Sequence, residues 1–142
     1  MTVTRCEISA DEALAIVKTA VEHAKSNSWE VTAAVCDPRG GLVAFLRTDN
    51  VIAPAESFAM DKAFTAATLR KASGDFGTRM SEKPTLSLGI GTRDRLITWH
   101  GGVAIFSDGV CIGGIGVSGA ADHEDVECAE AAIRAAGFQT TA

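Results

Sequence analysis

Apolar side chains at Leu14, Val17, Val21 and Ala24 recur at helical spacing, which predicts an amphipathic helix near the start of the chain. Ser9 and Glu12 supply an S-x-x-E capping box, and Ser26-Asn27-Ser28 ends the helix. The pattern then changes. Trp29 to Cys36 is a run of small and β-branched residues, followed by turn chemistry at Asp37-Pro38-Arg39-Gly40-Gly41 and a second apolar run, Leu42 to Arg47. Two strands joined in this way predict an antiparallel hairpin. Pro54 opens a second helix expected to reach Ser73-Gly74, with a seam of Ala55, Ala59, Ala63 and Ala66 that allows close packing.

Gly74, Gly77, Pro84, Gly89 and Gly91 interrupt any period between residues 74 and 98, so a long loop with one short helical turn is expected there. Val103 to Phe106, the turn Ser107-Asp108-Gly109 and Val110 to Val117 read as a second hairpin. A last helix follows from about Ala121 to Ala136, with Val126, Ala129 and Ile133 as its buried stripe, Asp122 as N-cap and Gly137 as stop. A short strand over Val3 to Ile8 would be a fifth. Hairpins make antiparallel sheets, so the fold class is α+β, with four or five strands in one sheet and flanking helices.

Composition narrows the function classes. The 142 residues suit a single domain over 1–142, and 24 alanines and 14 glycines with no Tyr imply close backbone packing. Large side chains at Gly102, Gly114 or Gly116 are expected to impair ligand binding or assembly before they abolish folding. No apolar stretch approaches the ~20 residues that cross a bilayer, and no secretory leader stands out at Met1 to Arg5, so a cytoplasmic location without membrane partners is expected. A net charge of −5 argues against nucleic-acid binding. Residues 60 to 95 nevertheless carry seven Lys/Arg against four Asp/Glu, which suits a small anionic ligand. Cys6, Cys36, Cys111 and Cys128 lack zinc or redox spacing and are expected to be buried free thiols.

Several residues could carry chemistry. His123 sits among Asp122, Glu124 and Asp125, which favour its protonated form and suit it to acid, base or axial-ligand roles. His100 precedes Gly101-Gly102 at an element boundary. Lys62 lies beside the alanine seam, either snorkelling or clamping an anion, and Arg47 and Asp49 flank the exit of the first hairpin. Ser118-Gly119 before the last helix could offer free amides to a carboxylate. The glycines of Gly113 to Gly119 lie within a strand, without the lysine of a phosphate loop, and no hydrolase motif is present.

Three segments together resemble the GlcG/HbpS-like family, also called the haem-degrading domain family. They are Leu42 to Arg47 with Asp49, then Asp61-Lys62-Ala63-Phe64-Thr65-Ala66, then Gly101 to Ile105 with Ile112 to Gly119 and the acidic run Asp122 to Cys128. The resemblance implies a profilin-like α+β fold, assembly into homo-oligomers, often octamers, and in some members haem binding or haem degradation. It carries Lys62, Thr65, Gly101, Gly102, Ser118 and Gly119 over as family-motif positions. Ala104 replaces a usual proline, and His100 and His123 are not general family features.

Three readings follow. One is a haem-binding protein with His100 or His123 as axial ligand and Lys62 or Arg47 on the propionates. Another is a cofactor-free catabolic enzyme in which Arg47 and Lys62 hold a small carboxylated metabolite while His123, aided by Asp122 or Asp125, moves a proton. The third is a structural oligomer.

Overall fold

The computed structural model describes all 142 residues. Helix α1 (Ala10–Ser26) is followed by strands β1 (Thr32–Cys36) and β2 (Leu42–Arg47), then helices α2 (Ala55–Leu69), α3 (Ser73–Met80) and α4 (Pro84–Ile90). Strands β3 (Gly102–Ser107) and β4 (Val110–Ser118) and helix α5 (Asp122–Ala135) complete the chain. The four strands form one antiparallel sheet in the order β2-β1-β4-β3. Both predicted hairpins form, and the distant pairing of β1 with β4 joins them at the centre of the sheet.

The sheet alternates by size as well as by direction. Ala33, Val35, Val103, Ile105, Ile115 and Val117 join the main core with α1 and α5. Ala34 and Cys36 instead meet Ala59, Ala63 and Ala67 of α2 in a second, small-residue cluster. Register places Ala34, Gly116 and Gly102 side by side across three strands, with Cys36, Gly114 and Ala104 as the next such row. This surface has almost no side-chain relief, so α2 lies directly on the backbone. A Cβ on Gly114 would sit 2.5 Å from the Ala67 nitrogen, and one on Gly116 would overlap the Ala59 carbonyl.

Several expectations change. Ser9 does cap α1 by accepting from the Glu12 N–H at 3.2 Å, but the buried face is Ala13, Ile16, Val17, Ala20, Val21 and Ala24. Leu14 is 59% exposed, because the helix turns its alanines toward the sheet. Val3 to Ile8 forms no strand; only Ile8 donates its N–H to the Ile112 carbonyl, at 2.8 Å. The second helix ends at Leu69, where Arg70 adopts a left-handed conformation (φ 60°), and the expected long loop instead contains α3 and α4. Asp122 is the first residue of α5, with Ala121 as N-cap, and Glu124 accepts from the Ala121 N–H at 3.0 Å. Cys6 is exposed and Cys111 is half-buried, whereas Cys36 and Cys128 are buried, and burial pushes those last two thiols up to about 11 and about 12. No helix is long and apolar enough to cross a membrane.

Candidate functional site

Helix α2 turns Lys62 away from solvent, beneath the start of β3 and the end of β4. Its ammonium donates to the Val117 carbonyl at 2.9 Å and to Asp125 Oδ2 at 3.2 Å, and both residues are only 2% exposed. The other Asp125 oxygen accepts from the Ala120 N–H at 3.0 Å. One ion pair thus ties α2, the end of β4 and the first turn of α5 together. Burial favours the neutral form of both partners. It pushes the Asp125 carboxyl up to about 6 against the pull of Lys62, and it lowers the Lys62 ammonium below its ordinary value against the pull of Asp125. Asp122 lies near enough to favour protonation of both, yet its own side chain is exposed.

Gly101 covers this pair. Its φ of +124° suits glycine, and a Cβ there would lie 2.8 Å from Lys62 Nζ. Two hydroxyls fix the segment that leads to it. Thr65, one turn beyond Lys62, donates to the Arg95 carbonyl at 3.1 Å and accepts from the Ile97 N–H at 2.9 Å. Ser73 donates to the Trp99 carbonyl at 2.6 Å and accepts from the Gly102 N–H at 2.8 Å. Nothing in the local sequence pattern marks Ser73, because its partners lie more than 25 residues away.

His100, Gly101 and Gly102 line a cleft of about 490 Å³. Val103, Phe106 and Val126 give it apolar surface, while Arg70 and Lys71 bring positive charge and Asp75 and Glu130 an equal negative charge. The His100 ring lies directly over Gly74 of α3, where any Cβ would displace it. The other candidates stand apart. His123 is exposed on the first turn of α5 and does not line the cleft. Arg47 pairs with Glu56 at 3.4 Å and donates to the Thr48 and Asp49 carbonyls, so both Arg47 and Asp49 belong to the exposed exit of β2. Ser118 is buried at the end of β4, and Gly119 packs against Glu30 and Val51. The structure therefore gathers Lys62 with Asp125 and His100 with the glycine pair, in two adjoining places.

A family model described as haem degrading protein HbpS-like matches residues 8–134. The chain belongs to that family. This HbpS-like chain is 33% identical over 115 residues to Protein GlcG of Escherichia coli (strain K12), across 81% of this chain and 84% of GlcG. It superimposes on the crystal structure of a PduOC:heme complex with a TM-score of 0.87 at 25% identity, covering 96% of this chain and 99% of that one. The crystal structure of HbpS matches with a TM-score of 0.86 at 26% identity, over 94% and 93% of the two chains. The fold of this HbpS-like chain is thus shared along almost its whole length.

Proposed function

We propose that the chain binds haem or a related tetrapyrrole in the cleft beside His100, Gly101 and Gly102. The observation that carries this reading is the lining of that cleft: a histidine, apolar side chains and two cations around one volume of ligand size, with Asp75 and Glu130 in the same lining. His100 would offer an imidazole nitrogen to the iron, Val103, Phe106 and Val126 would give apolar contact, and Arg70 and Lys71 would pair with the carboxylates. Gly74 fits the same purpose, since the absence of a side chain there leaves room for the ring of His100. Bound haem would bring redox-active iron, and haem degradation is the corresponding activity within this reading. The similarity to a structure of a PduOC:heme complex supports it.

Lys62 and Asp125 do not line the cleft, so the cleft, and not the ion pair, carries the reading. Self-association belongs to the same proposal and is supported by Leu42, Ile52, Leu88 and Trp99, large apolar side chains that each stand at least half exposed. Titration of the purified protein with haem tests the ligand. A shifted Soret band is expected with the unaltered protein and with His123→Ala, and its loss is expected with His100→Ala. No shift at all, or a shift that His100→Ala leaves intact, overturns the assignment.

A further inference from the structure

A second cleft, of about 700 Å³, opens on the other side of Arg70 and Phe106. Three arginines from distant parts of the sequence line it: Arg5 from the N-terminal segment, Arg39 from the β1–β2 turn and Arg70 from the end of α2. None of the three forms an ion pair or a side-chain hydrogen bond within the chain. No Asp or Glu side chain lines the cleft. The nearest acidic group in sequence to Arg39, Asp37, is engaged by its own turn, where one carboxylate oxygen accepts from the Arg39 and Gly41 N–H groups at 2.8 and 3.0 Å. That contact also fixes the backbone from which Arg39 projects.

Two further features hold the cluster. Arg70 occupies a left-handed conformation at the end of α2, a position that glycine usually fills. The N-terminal segment that carries Arg5 is fastened to β4 by the Ile8 to Ile112 hydrogen bond. Like charges that share one cleft with no acidic side chain in its lining repel one another, and an anion relieves them. Guanidinium in particular grips carboxylate and phosphate oxygens in pairs.

We infer that this second cleft is a binding site for a small molecule bearing two or more carboxylate or phosphate groups, held by Arg5, Arg39 and Arg70. Titration calorimetry at low ionic strength, with citrate and with pyrophosphate as separate probes, tests it and distinguishes the two chemistries. At least one probe is expected to bind saturably at one site per chain and to slow alkylation of Cys6, which lines the cleft and is exposed. Arg39→Gln is expected to weaken that binding by about tenfold or more, and Arg5→Gln with Arg39→Gln by more still. Arg93→Gln makes the same change in net charge away from the cleft and is expected to leave binding unchanged. Arg5 and Arg39 are exposed, so these variants keep the fold, and a circular dichroism melt checks it. The inference is overturned if neither probe binds saturably, or if Arg93→Gln weakens binding as much as Arg39→Gln. Arg70 lines both clefts, whereas Arg5 and Arg39 line only the second, so an unchanged haem titration with Arg5→Gln and Arg39→Gln keeps this result separate from the proposed haem binding.

Discussion

Lys62 and Asp125 show how much one buried pair can weigh. Each charge is stranded without the other, so Lys62→Ala is expected to destabilise the protein by about 3–5 kcal/mol, and Lys62→Met with Asp125→Leu by much less. Urea unfolding of the three proteins measures the difference. The pH dependence has a definite sign. Burial raises the folded Asp125 carboxyl from an ordinary 3.8 to about 6, so the folded state holds that proton more tightly than the unfolded state does. The stabilisation this supplies is complete below about pH 4 and is lost as pH rises to about 6. Lys62, lowered by burial, gives the opposite contribution at alkaline pH, where stability is regained as its proton leaves the folded state first. Unfolding of Asp125→Asn across the acid range should lack the Asp125 slope, and an unchanged slope would show that the carboxyl titrates normally.

Among the elements, α2 and the sheet beneath it are fitted backbone to backbone. Gly114 and Gly116 leave no space for a side chain, so Gly116→Val should destabilise the whole fold before any binding defect can be seen, which reverses the order expected from the sequence. Far-UV circular dichroism with a thermal melt checks this, and a Gly116→Val protein of unchanged melting temperature would refute it. The hairpins were legible because Asp37 to Gly41 and Ser107 to Gly109 carry their turn chemistry locally. Leu14 belongs to the predicted stripe but lies outside the buried face, because periodicity finds a stripe without fixing which edge of it meets the sheet. Helices α3 and α4 were illegible for a different reason. They are eight and seven residues long, and the segments around them are held by Ser73 and Thr65 through bonds to distant backbone. Lys62 and Asp125 were each visible as candidates, but nothing local couples two residues 63 positions apart.

Over the whole molecule, large side chains fill one face of the sheet while glycine and alanine line the other; the first cleft opens where α2 ends and β3 begins, the second between the end of α2 and the β3–β4 turn. Arg70 and Phe106 form the wall between them. With Leu42, Ile52, Leu88 and Trp99 exposed, native mass measurement is expected to find a species heavier than one chain, and a monomer at micromolar concentration would remove self-association from the proposal. The sheet order also sets a sequence of events in time. β1 pairs locally with β2, but its other neighbour, β4, lies roughly 80 residues further along the chain. During synthesis the first hairpin must therefore wait with one edge open, able to pair with a strand of another chain, until the last strand arrives and closes the centre of the sheet.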